Sequence, residues 1–168
     1  AFGEGADLIS KDERNLVFKS MKKVFDYTNQ KVDGLYIKLE NNIPLSRGLG
    51  SSSACIIGGM YAANTILNNP LSDKEILDLA SKVEKHPDNI TPCLVGGFTA
   101  SVIENDEVYY IKKEVSDALS FLLMIPPFTM RTKKAREVLP KKIFYKDGVF
   151  NIARSTLFAL SMFNEDFE

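Results

Sequence analysis

Positions 44–54 read PLSRGLGSSSA, a run of glycines and hydroxyls that passes without a break into the helix-forming residues Ala54-Cys55-Ile56-Ile57. A helix entrance leaves its first N–H groups unpaired and carries partial positive charge. A glycine loop that exposes further N–H groups there makes a cradle for an anion, and a phosphate fits it. Glycine serves where a side chain would keep backbone and phosphate oxygens apart, and the hydroxyls of Ser51, Ser52 and Ser53 can bond those oxygens or a magnesium ion. A flexible Gly/Ser linker would be polar on both sides, and this one is not. Nor is it a Walker loop, because Gly50 is followed by Ser51 where that motif requires a lysine.

Two other groups of residues carry chemistry. Glu84, His86, Asp88 and Asn89 fall within six residues of one another. Taken alone, Glu84 reads as a solvated carboxylate at a helix end, and His86, the only histidine of the chain, as a structural hydrogen-bonder. Asp88 or Asn89 could cap the next turn. Farther on, Arg136 follows Thr132 by four residues, which stacks the two on one helical face. A guanidinium there can grip a carboxylate through two parallel hydrogen bonds, as neither Lys133 nor Lys134 could, or can stand in a surface salt bridge.

The elements that must position these groups can be read from periodicity. Leu16, Val17, Met21, Val24 and Phe25 repeat at helical spacing, with Lys19, Lys22 and Lys23 facing out. Leu35, Ile37 and Leu39 alternate with Tyr36 and Lys38, which predicts a half-buried strand feeding the glycine loop. Ser72-Asp73-Lys74-Glu75 matches a capping box, opening a helix through Ile76, Leu77, Ala80 and Val83 that should end near Glu84. Phe98–Ile103 and Val108–Ile111 flank a polar turn as a hairpin. Phe121–Ile125 is expected as a short buried strand stopped by Pro126-Pro127, Thr132 as the cap of a helix through Leu139, and 150–163 as a closing amphipathic helix with something to pack against.

Composition narrows the function classes. With 168 residues, 45% of them hydrophobic, the chain can bury a real core. Its 21 basic and 22 acidic residues leave a net charge of −1 without a basic block, so nucleic acid is not an expected partner. The apolar stretches are too short or too interrupted to span a bilayer, so no membrane is expected either. Cys55 and Cys93 sit among small or apolar residues, as buried reduced thiols do, which points to the cytoplasm. The start, AFGEGAD, has neither an initiating methionine nor the features of a signal peptide, so the chain is expected to be a fragment.

With these motifs in place, the chain resembles the GHMP kinases. PLSRGLGSSSA looks like the central ATP loop of that superfamily, and GEGAD at 3–7, HPDN with VGGF at 86–98 and TKKAREVLP at 132–140 resemble its homoserine kinase branch. The resemblance implies an α/β (α+β) fold. Residues 1–116 would form the N-terminal ATP-binding domain without its first strands, and residues 117–168 the start of a ferredoxin-like C-terminal domain. It also implies an ATP-dependent transferase that phosphorylates L-homoserine to O-phospho-L-homoserine in threonine biosynthesis, with ATP and Mg2+ as cofactors. A homodimer is left open. Two of the family's segments, a PATSANLGPGFD-like start and a late glycine-rich stretch, do not occur here, so catalysis is expected only from a larger protein. Another small-molecule kinase of the superfamily, for mevalonate or a sugar, is the nearest alternative. From a different class comes a noncatalytic phosphate-binding domain.

Residue roles come with the resemblance. Pro44, Leu45, Ser46, Arg47, Gly48, Leu49, Gly50, Ser51, Ser52, Ser53 and Ala54 would hold ATP, and Ser52 and Glu84 would contact magnesium. His86, Asn89, Thr132 and Arg136 would bind the substrate, Arg136 through its carboxylate. Asn89 stands where several other GHMP kinases carry a basic aspartate, and would orient the acceptor hydroxyl. Asp88 stays open as a proton acceptor beside a direct transfer that needs no base, which is the favoured route. Lys85 replaces a glycine common in bacterial homoserine kinases, and a cation there is expected to pull Glu84 from magnesium or to approach phosphate.

Overall fold

The structure is a computed structural model that describes residues 1–125, 128 and 137–167. Helix α1 (Leu16–Tyr27) opens on Asn15, whose side chain accepts the N–H groups of Val17 at 2.9 Å and Phe18 at 3.3 Å. Helix α2 (Ser51–Ile66) is apolar or small nearly all round and lies centrally, with Ile56, Ile57, Met60 and Ala63 buried. Helix α3 (Asp73–Glu84) begins with the expected capping box. Ser72 Oγ accepts the Glu75 N–H at 3.3 Å, and the Glu75 carboxylate accepts the Ser72 N–H at 2.8 Å. The Ser72 N–H, together with the Ser72 hydroxyl at 2.7 Å, donates to the Glu75 carboxylate and lowers its pKa from the ordinary value. A short helix, α4 (Ile90–Val95), completes the cluster.

The core gathers Met21, Val24 and Phe25 of α1, the buried face of α2, Ile76, Leu77 and Ala80 of α3, Ile90 of α4, and Val108. Buried Asn64 closes the α2–α3 connection, donating to the Leu71 carbonyl and accepting the Leu71 N–H, both at 2.9 Å. The hairpin of β3 (Phe98–Glu104) and β4 (Glu107–Lys113) is antiparallel, with Glu104 opposite Glu107. Its two-residue turn, Asn105-Asp106, has φ of 51° and 64°, as a tight hairpin turn of primed type requires. Asp78 Oδ1 accepts the Val108 N–H at 2.8 Å and ties the hairpin to α3.

Several expectations need correction. The strand before the glycine loop keeps its alternation, with Leu35, Ile37 and Leu39 half-buried and Tyr36 and Lys38 exposed. Its ladder, however, is confined to β2 (Glu40–Asn41), paired in parallel with β1 (Phe2–Gly3). Alternation records which face is covered, whereas a strand also needs a backbone partner, and among the described residues only Phe2–Gly3 supplies one. Phe121–Ile125 forms no strand and is exposed, Leu122 to 85%, because no described strand pairs with it. Cys93 is exposed and Cys55 half-buried, both free. The closing helix α5 (Tyr145–Asn164) begins earlier than expected and has no buried residue, although Phe158 and Phe163 meet Phe98 edge-on at 5.6 and 6.3 Å. Thr132, Arg136 and residues 132–136 of the helix expected there lie outside the described residues. No described helix is long and apolar enough to cross a membrane.

Helices α1 and α2 meet at Gly59, where an added Cβ would lie 2.6 Å from the Val17 carbonyl oxygen and 3.0 Å from Ser20 Cβ. At neighbouring Gly58 a Cβ would meet nothing within 4 Å. Gly59→Ala should therefore cost about 1–3 kcal/mol, and Gly58→Ala should be neutral or stabilise by up to about 1 kcal/mol. Thermal melts followed by circular dichroism check the opposite signs.

Candidate functional site

The loop that leads into α2 alternates in and out of left-handed backbone. Ser46, Gly48 and Gly50 have φ of 57°, 74° and 73°. An added Cβ at Gly48 or Gly50 would stand in open space, which is the room an approaching anion would take. Gly50 caps α2 without a side chain to accept the N–H groups of the first turn, and the Ala54 N–H is the one that returns to the Gly50 carbonyl, at 3.0 Å. Ser53 is buried, so the accessible hydroxyls of this turn are those of Ser51 and Ser52, not all three.

The loop forms one wall of a cavity of about 1010 Å³, with the start of α1 and residues 35–43 across from it. That volume suits a nucleotide-sized ligand. Two expected residues meet at its edge: Ser52 Oγ donates to Glu84 Oε2 at 3.1 Å, joining the first turn of α2 to the last of α3. Hydroxyl and carboxylate oxygens are the hard donors that magnesium takes, usually a few at a time beside substrate phosphates. Among the described residues no group of three or more His, Cys, Asp or Glu could hold a metal, so a metal here would draw on the single Glu84 carboxylate, the Ser52 hydroxyl and a ligand's own oxygens.

Asn89 also lines the cavity, while its side chain makes no capping bond to α4, so the reading of Asn89 as a side-chain cap does not hold. His86 and Asp88 stand outside the lining. His86 Nδ1 and Asp88 Oδ1 are 2.5 Å apart, with side-chain exposures of 20% and 65%. The cavity thus brings together the loop 44–54, Ser52, Glu84 and Asn89, and leaves His86 and Asp88 paired with each other.

Lys85 departs from its expected part. It ends α3 in left-handed backbone, φ 71°, with its N–H bonded to the Ser81 carbonyl at 2.7 Å. Lys85 lines a small depression with Ser81, Lys82, Ile103 and Asp106, beside the hairpin, and is not among the residues that line the cavity. Glycine suits this position for its backbone, since a left-handed helix terminus carries no Cβ penalty there.

Sequence reasoning missed other lining residues. Arg14 lines the cavity and grips Asp12 at 2.7 Å, and that guanidinium holds the Asp12 carboxyl at about 2. Cys55 lines it one turn into α2, where burial pushes its thiol up and keeps it protonated. Asn41, which lies before the loop, also lines it, and its signal was legible in principle as an Asx turn two residues before Ile43-Pro44.

Residues 15–97 match the family described as GHMP kinases N terminal domain. The homoserine kinase of Clostridium botulinum (strain ATCC 19397 / Type A) is 52% identical over 157 residues, 94% of this chain and 53% of that protein. That of Caldicellulosiruptor bescii is 51% identical over 160 residues, 95% of this chain and 52% of that protein. The crystal structure of homoserine kinase from Cytophaga hutchinsonii superimposes with a TM-score of 0.81 at 29% identity, covering 99% of this chain and 55% of that one. The chain spans about half the length of the curated relatives it matches.

The left-handed cap yields a stability prediction. Lys85→Gly should stabilise the protein by roughly 0.5–1 kcal/mol, because the relief of left-handed strain exceeds the added freedom of the unfolded chain. Urea denaturation would give the sign, and a loss of stability would mean that the Lys85 side chain contributes more than its backbone costs.

Proposed function

We propose that this chain, whose residues 15–97 match the GHMP kinases N terminal domain, is part of a homoserine kinase, which transfers the γ-phosphoryl group of ATP to the hydroxyl of L-homoserine on the route to threonine. The observation that supports this best is the meeting of Ser52 and Glu84, 32 residues apart in sequence, at the end of an open glycine loop. Phosphoryl transfer is mostly positioning and charge neutralisation, so a phosphate cradle beside a hydroxyl–carboxylate pair is the apparatus it needs. The loop backbone of residues 44–54 receives the triphosphate. Ser52 and Glu84 would hold magnesium, which when bound would neutralise phosphate charge.

Asn89, facing the same cavity, orients the homoserine hydroxyl and aims its oxygen, leaving the hydroxyl proton to the phosphoryl group. That oxygen bonds to the γ-phosphorus as the bond to the bridging oxygen breaks and ADP leaves, while the hydroxyl proton passes to the transferred phosphoryl group. No base is required. Asp88 is engaged by His86 and lies off the cavity lining, which favours this route over proton removal by Asp88. Thr132 and Arg136 hold the α-carboxylate, a role carried by the family resemblance.

Two measurements on the full-length protein test the reading. Ser52→Ala should weaken magnesium–ATP binding by roughly 10- to 100-fold in calorimetric titration, the effect of losing a hydrogen bond to a charged group, and equal affinities would remove Ser52 from the site. Homoserine has its carboxylate at one end and its reacting hydroxyl at the other, so a fixed cation must hold the first to aim the second. Arg136→Ala should lower kcat/KM for homoserine by roughly 30-fold to several-thousand-fold, about 2–5 kcal/mol, with far less change for ATP. Arg136→Lys should recover little, because an ammonium lacks the two-pronged geometry. Changes below about threefold in both variants would remove Arg136, and faster turnover of mevalonate or a sugar by the parent would reassign the substrate.

A further inference from the structure

We infer that Asn41 is a positioning residue for nucleotide: it fixes the entry of the glycine loop in its anion-accepting shape by bonding that entry to the segment Gly3–Gly5. The identity of the ligand rests on the proposed kinase reading, and the anchoring role rests on hydrogen bonds. Asn41 Nδ2 donates to the Glu4 carbonyl at 2.8 Å and to the Ile43 carbonyl at 2.9 Å, and its Oδ1 accepts the Ile43 N–H at 3.2 Å. Its backbone carbonyl accepts the Glu4 N–H at 2.7 Å. One side chain therefore satisfies both polar groups of Ile43 and bridges to a segment 37 residues earlier.

Pro44, immediately after Ile43, makes the anchor matter. Its φ is locked and it restricts the residue before it, so fixing Ile43 sets the direction in which the loop departs. The next residues pack against the same segment. A Cβ added at Gly5 would lie 2.2 Å from Leu45 Cδ1, and one at Gly3 would lie 2.2 Å from the Asn41 carbonyl oxygen. The sequence GEGAD thus has glycine where the loop entry comes closest. Beyond Leu45 the left-handed residues Ser46, Gly48 and Gly50 make no comparable close approach at the two glycines, where added Cβ atoms meet nothing within 4 Å. The loop is held at both ends, by α2 at one and by Asn41 at the other.

A loop that is competent only part of the time binds more weakly in proportion to that fraction. In the full-length protein, Asn41→Ala should raise the Kd for ATP, titrated calorimetrically without acceptor, about tenfold, and leave the KM for homoserine within about twofold. Amide hydrogen exchange across 45–50 should quicken with ligand absent. A lower thermal midpoint with unchanged ATP affinity would reduce Asn41 to a structural role, and an equal rise in the KM for homoserine would equally overturn the assignment. If Asn41→Ala does not fold, Asn41→Ser, which retains a short acceptor for Ile43 but cannot reach Glu4, is read by the same criteria. A parent that binds ATP but does not phosphorylate homoserine would defeat the functional reading alone, and calorimetry with exchange would still decide the role of Asn41.

Discussion

The approach of α1 to α2 at Gly59 is the contact on which the site depends. Backbone meets backbone there, with no room for a Cβ beside the Val17 carbonyl, so the missing side chain sets how deep α2 lies. Its depth fixes where its first turn emerges, and that turn carries Ser51 and Ser52. Farther along, Asn64 bonds both backbone groups of Leu71, and the Tyr61 hydroxyl donates to Asp73, so α3 takes its position from α2 as well. Burial together with that carboxylate pushes the Tyr61 phenol to about 12, keeping it a donor. The far end of α3 delivers Glu84 to Ser52.

Core and site are consequently two faces of the same helices. Within one turn of α2, Ser53 is buried while Ser52 is accessible. Within α3, Ile76, Leu77 and Ala80 are buried and Asp78 accepts from Lys74 and the Val108 N–H. A rigid scaffold is what the proposed phosphoryl-transfer site would need, since misplacement of a positioning group costs rate directly. The loop itself supplies no packed core, and its order is borrowed from its neighbours.

Much of this was legible in the sequence where a local rule governs. The capping box at Ser72 and Glu75, the end of α3 at Glu84, the hairpin about Asn105-Asp106 and the helix from Leu16 to Tyr27 each follow from spacing or turn chemistry within a few residues. The passage of the glycine loop directly into α2 was legible for the same reason. The illegible parts depend on partners distant in sequence. Phe121–Ile125 has a strand's composition without a strand beside it, and alternation at Leu35, Ile37 and Leu39 outruns the two-residue ladder. Lys85 was read for its charge, whereas its backbone conformation decides its place. Asn41 was overlooked because its bonding partner lies 37 residues away.

The bond between Ser52 and Glu84 has a thermodynamic corollary. A hydroxyl and a carboxylate that already satisfy each other cannot offer a newcomer their full strength, since whatever engages them must first displace that mutual contact. Occupancy is then an exchange of partners, with less gain than either group would offer unpaired. On departure the pair closes again, so neither group is left to recruit water at full cost. Such an arrangement moderates how long any bound ligand stays, because the groups that hold it have each other to return to.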